Sequence, residues 1–238
     1  MKRWGPFLAI GVSLFCVLFG SFVGLGGVKS MFPNLFFMKL SLSPPSTSSS
    51  LVESIAGRVN ISIPDTLLSN EYDVYLWSSR THTKVSSTCT PPKSQFSFDP
   101  VQVLHLEDQQ LPSILVASLE TYKKASSYVG PLYIVALACS FASLFVRTCS
   151  IVVPRFPKTP LFPFLLSLFA CILLLVASVL TTVTFAALVG GFKTVFQGSG
   201  VEAALGRDVF ILIWIAFAFS YLAAGIWFLA LLVCICFG

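Results

Sequence analysis

The sequence predicts an all-α transmembrane four-helix bundle that carries a small extracellular β-sheet and an amphipathic helix in its first loop. Three observations lead there. Of the 238 residues, 55% are hydrophobic and only 11% charged, with a mean hydropathy of +0.86, whereas about a quarter of a soluble domain is charged. The charges leave four long gaps: none falls between Arg3 and Lys29, between Lys124 and Arg147, between Lys158 and Lys193, or after Asp208. The basic residues are also distributed asymmetrically about those gaps.

Each gap exceeds the roughly 20 residues that a helix needs to cross about 30 Å of hydrocarbon. The spans are placed at 7–28, 131–152, 161–188 and 210–232. Backbone groups in lipid must be paired within their own segment, so these spans are helices. The short alternating segments of a membrane barrel are absent. A cleaved signal peptide is the competing reading of the first span. Its apolar run is longer than a usual h-region and no A-x-A site closes it, so retention is expected.

Lys2, Arg3, Arg147, Arg155 and Lys158 lie before the first span or around the connection between the second and third, with no acidic residue among them. Basic residues of that kind mark cytosolic segments. The expected organisation is therefore a cytosolic start at 1–6, an extracellular loop domain at 29–130, a cytosolic loop at 153–160, a second extracellular loop at 189–209 and a short cytosolic end at 233–238. The net charge of +5 belongs to the cytosolic side, where it sets topology. No nucleic-acid partner is expected.

The first loop holds most of the sequence information. Residues 35–42 (LFFMKLSL) alternate in part, 58–63 (RVNISI) alternate cleanly, and 72–79 (YDVYLWSS) do so more weakly. Phe96 to Phe98 is a further short strand candidate, ended by Pro100, while 43–50 (SPPSTSSS) reads as a flexible excursion. Several short strands imply a small antiparallel sheet, since two alone are rarely stable in water. From Leu111 the period changes: Leu115, Leu119, Tyr122 and Ser126 fall at helical spacing after Pro112, so an amphipathic helix leads into the second span.

Seven cysteines do not make a disulfide framework here. Cys16, Cys139, Cys171, Cys234 and Cys236 lie in or at the ends of spans, Cys149 sits near the end of the second, and only Cys89 lies in a loop. Cys89 is thus free or paired with another chain. Cys149 beside Arg147 is a palmitoylation candidate; its alternative is a small apolar residue in a helix. Gly20 and Gly24 form a G-x-x-x-G that serves close packing, within the bundle or between two copies. Asn60-Ile61-Ser62 is an N-glycosylation sequon. No Asp, Glu, Lys, Arg or His falls in the core of a span, which argues against a transporter, and no nucleophile has a basic partner or metal set. Neither enzymatic activity nor a cofactor is expected.

Several features then fall in a familiar order. They are 35–42 after the first span, Tyr72-Asp-Val-Tyr-Leu-Trp77, the run from Cys89 through Pro91, Pro92 and Lys93 to Asp99-Pro100, the helix through Tyr122, Leu205-Gly206, and Trp214 in the last span. Together they resemble the fungal Sur-seven/PalI family of four-span membrane proteins, which are similar to claudins. The resemblance implies a loop fold marked by Leu76, Trp77, Cys89, Asp99 and Pro100. It also implies a plasma-membrane protein with both termini cytosolic, which organises a cortical domain such as an eisosome or supports cell-wall integrity. The alternative it offers is an accessory subunit of a pH sensor, channel or wall-polymer synthase. Implied partners are the lipid bilayer and other membrane proteins, in homo- or hetero-oligomers. Two departures stand out. Relatives pair the loop cysteine with another soon after the Leu-Trp, where this chain reads Ser78-Ser79-Arg80, and the long cytosolic tail of many relatives has no counterpart before Gly238.

Overall fold

The computed structural model describes residues 5–26, 32, 34–42, 70–83, 86–93, 96–103, 113–152, 161–196 and 201–237. The strand expected at 58–63, Asn60 within it, the excursion at 43–50 and the connection at 153–160 lie outside these residues. The helices are α1 (Gly5–Leu25), α2 (Pro100–Val103), α3 (Ser113–Val152), α4 (Leu161–Val195) and α5 (Arg207–Phe237). The strands are β1 (Met38–Leu42), β2 (Glu71–Val74), β3 (Ser79–His82), β4 (Ser87–Cys89) and β5 (Val201–Leu205). Four of the helices are long and apolar enough to cross a membrane: α1, α3, α4 and α5.

The amphipathic helix and the second span are one element. α3 runs for 40 residues with Pro131 inside it. A proline removes one backbone donor and crowds the preceding turn, and here the helix continues through that position.

The chain divides into two compact units. The first comprises Met1–Leu25, Pro131–Val179 and Phe210–Gly238. Its interior is lined with small and hydroxylated side chains at helical spacing: Ala9, Ser13 and Cys16 on α1, Ala136, Ser140 and Ser143 on α3, Ser167 and Ala170 on α4, and Ala216, Ser220 and Ala223 on α5. Large apolar side chains point outward, as Phe141 (61% exposed), Phe145 (63%) and Phe162 (60%) show. Water would not tolerate so continuous an apolar exterior, and small residues inside let helices approach closely where lipid surrounds them. The G-x-x-x-G faces inward. A Cβ at Gly20 would run into the Leu137 side chain of α3, and one at Gly24 would meet the same leucine at 3.6 Å.

The second unit comprises Gly26–Gly130 and Leu180–Val209. Its core is a five-stranded antiparallel sheet in the order β4-β3-β2-β1-β5. β1 alternates as expected, with Met38, Leu40 and Leu42 buried and Lys39 and Ser41 half-buried. It lies between β2 and the edge strand β5, pairing Leu40 with Tyr72 of β2 on one side and with Ala203 of β5 on the other. Sequence reading placed the sheet wholly in the first loop. The structure takes one edge strand, β5, from the second. Phe37 stacks on Phe185 of α4 at 5.0 Å between ring centroids, and Tyr122 of α3 meets the same ring edge-on at 5.6 Å.

Two strand expectations change. The segment 72–79 is not one strand: Leu76 and Trp77 are the two central residues of a tight β2–β3 hairpin, closed by the Tyr75 N–H donating to the Ser78 carbonyl at 2.9 Å. Phe96 to Phe98 forms no strand, because the Phe98 N–H donates to the Tyr122 hydroxyl at 3.2 Å instead of to a ladder.

Candidate functional site

The residues that carried the family resemblance in the loops gather in the sheet unit, each for a local reason. Asp99 caps α2: its Oδ1 accepts the Val101 N–H at 3.2 Å and its carbonyl accepts from Val103 at 3.1 Å. Pro100 follows as the first helical residue, where a missing N–H costs nothing. The Asp99 carboxylate also takes Lys123 of α3 at 2.5 Å. With the Phe98–Tyr122 bond, this ties the segment 96–103 onto α3 at two adjacent helical positions.

Arg80 closes the stretch Ser78-Ser79-Arg80 that follows Leu76-Trp77. It is the register partner of Cys89 across β3 and β4, and its Nε donates to the Cys89 Sγ at 3.2 Å. That bond raises the Arg80 pKa above its ordinary value. The guanidinium also lies 5.8 Å from the Tyr75 ring centroid, a cation–π geometry. Burial, reinforced by the Asp73 carboxylate, pushes the Tyr75 phenol up to about 12 and keeps it neutral. Asp73 is buried and meets the His82 Nε2 at 3.0 Å. On the half-exposed face Lys39 bonds Glu71 at 2.7 Å, which raises the lysine pKa.

The hairpin tip is braced from the side. The Thr90 N–H donates to the Ser79 carbonyl and the Lys93 N–H to the Trp77 carbonyl, both at 2.9 Å, while the Thr90 hydroxyl accepts the Ser79 N–H at 2.8 Å. Leu76 is buried at 7% exposure and Trp77 is half-buried. Leu76→Ala is therefore expected to cost about 2 kcal/mol, the low end for a buried leucine because a turn can close over the gap. Trp77→Ala should cost less, since its indole keeps solvent contact. Thermal unfolding and proteolysis of the two variants check the order; a larger loss for Trp77→Ala would contradict the hairpin geometry.

A second cluster lies in the four-helix unit and was misread from sequence. Arg147 counts in the sequence among the basic residues around the connection between the second and third spans, but it is 1% exposed. Its Nη1 donates to the Ser13 hydroxyl, and its guanidinium carbon lies 4.9 Å from the Trp227 ring centroid. Ser13, Cys16, Ser140, Ser143, Ser167 and Ser220 line the small cavity beside it. The signal was present: Ser140, Ser143 and Arg147 at spacings of three and four share one helix face. Cys149, two residues further on, is half-buried. Among the described residues no group of three or more His, Cys, Asp or Glu could hold a metal ion.

Four long apolar helices with a five-stranded sheet define a multi-pass membrane protein of the tetraspan, claudin-like fold. A sequence profile of the SUR7/PalI family matches residues 6–226, nearly the whole chain, and the protein belongs to that family. No curated protein matches the chain in sequence comparison.

Proposed function

We propose that this protein is a non-enzymatic plasma-membrane organiser that gathers other membrane proteins into a cortical domain, with both termini cytosolic and the sheet unit outside. The eisosome-like and wall-related roles implied by the family resemblance belong to this reading. The observation that carries it is the far edge of the sheet. β4 is exposed at all three residues, and so is the chain that follows it through Lys93. Among the described residues no strand pairs with the outer side of β4. An open edge is a template for a strand from another chain, and the brace of Thr90 and Lys93 holds it in place. Cys89, at the end of that edge, has an exposed thiol.

The same edge supports a second reading, an accessory subunit that holds one larger membrane protein at fixed stoichiometry. Fluorescent tagging and mild-detergent co-purification separate the two. An organiser gives stable cortical patches and several co-purifying membrane proteins, whereas a subunit gives an even distribution and one stoichiometric partner. Substituting Ser87 by proline, whose N–H points away from β3 in the register set by the Ser79–Thr90 and Thr83–Ser86 pairs, should disperse the patches while the protein still reaches the surface. Unchanged patches in that variant would remove β4 from the reading.

A further inference from the structure

We infer that Arg147 builds a binding site for a small monovalent anion, of the size of chloride, inside the four-helix unit. The inference is independent of the proposed organising role. It begins with charge. The segments 1–25, 131–179 and 210–238 that form this unit contain no Asp or Glu. Arg147 is nonetheless buried at 1% exposure, and a guanidinium stays charged in proteins. A buried charge needs a countercharge or it is strongly unfavourable.

Its hydrogen-bond partners do not meet that need. One nitrogen, Nη1, reaches Ser13, whose own hydroxyl proton goes to the Ala9 carbonyl at 2.7 Å. Nε and Nη2 are buried without a partner among the described residues, and so is the Ser143 hydroxyl one turn earlier on α3. The face of Trp227 offers a quadrupole but no net charge. Two guanidinium N–H groups and a free hydroxyl beside a cavity form a set of donors. Donors in that number, one group charged, suit an anion and repel a cation.

Size narrows the class. The cavity lined by Ser13, Cys16, Ser140, Ser143, Arg147 and Ser167 offers about 10 Å³ to the centre of a water-sized occupant. That is room for one such occupant and too little for sulfate or a phosphate headgroup. A water molecule would satisfy the free N–H groups but leave the charge uncompensated. Chloride, the smallest common anion after fluoride, supplies the countercharge that water cannot.

The test uses the full-length protein in a neutral detergent with phosphatidylcholine, with chloride exchanged for gluconate at constant ionic strength. The midpoint of thermal unfolding should rise with chloride and saturate, as for any ligand that binds only the folded state. Bromide should reproduce the rise, and sulfate should not. In Arg147→Gln the rise should vanish. Should that variant fail to fold, Ser143→Ala should raise the half-saturating chloride concentration by about tenfold, the effect of one lost hydrogen bond to a charged group. Equal midpoints in chloride and gluconate would overturn the inference. So would a chloride response unchanged in Arg147→Gln, or in Ser143→Ala where Arg147→Gln does not fold. Stabilisation by phosphatidylglycerol that abolishes the chloride response would assign the guanidinium to a lipid phosphate instead, and would equally overturn it.

Discussion

Phe185→Ala is expected to cost about 3–5 kcal/mol, the range for a fully buried phenylalanine that leaves a cavity. The ring is 3% exposed and joins three elements, stacking on Phe37 just before β1 and meeting Tyr122 of α3 from its own place on α4. Aromatic pairs in offset and edge-on geometries add to the burial itself. Loss of the ring removes the floor beneath β1, the strand that links β5 to β2 and the rest of the sheet. Purified Phe185→Ala should therefore lose the protease resistance of the sheet unit while its helical circular dichroism is largely kept. Phe185→Leu, which fills most of the space, should recover over half of the lost stability. A wild-type proteolysis pattern for the alanine variant would show that the sheet does not depend on this contact.

Gly206→Ala should be nearly as damaging, at about 3 kcal/mol or more, for a different reason. A Cβ at Gly206 would overlap the carbonyl group of Phe36, and its own N–H is held by the Phe37 carbonyl at 3.0 Å. Overpacking typically costs about 1–3 kcal/mol when side chains can adjust; here the obstacle is backbone. Relief requires β5 to leave β1, so the expected result is cleavage between α4 and α5 at protease concentrations that spare the wild type. The Leu205-Gly206 pair of the family resemblance thus has a physical cause: only glycine lets the turn from β5 into α5 pass so close to the chain before β1.

What the sequence made legible follows from the strength of each signal. The charge-free gaps locate four long helices because lipid excludes charge over about 20 residues, a constraint stronger than any local propensity. β1 was readable because Met38, Leu40 and Leu42 alternate with polar neighbours. β5 was not, because Val-Glu-Ala-Ala-Leu contains two alanines and a glutamate, which disfavour strands, and pairing with β1 overrides them. The hairpin at Leu76-Trp77 lacks the Gly, Asn or Asp that usually marks a two-residue turn, so two strands read as one. Arg147 counts by charge among the basic residues around the connection that follows its span, while the serines at 140 and 143 mark the inward face of the helix. The Asp99–Lys123 pair was beyond sequence reasoning, since nothing in the intervening residues indicates which lysine the aspartate will meet.

Segments separated by two long apolar helices, β1 before them and β5 after them, build one sheet. Lys39 of β1 and Ala204 of β5 are Cα partners in that sheet, the lysine half-buried and the alanine exposed. In a Cys89→Ser background, the double variant Lys39→Cys with Ala204→Cys should be joined within one chain by a short thiol cross-linker in intact membranes. Neither single variant should give that product, and a non-permeant reagent added from outside the cell should block it. Failure of the double variant to cross-link, or labelling of the two cysteines from opposite faces of the membrane, would contradict the shared sheet.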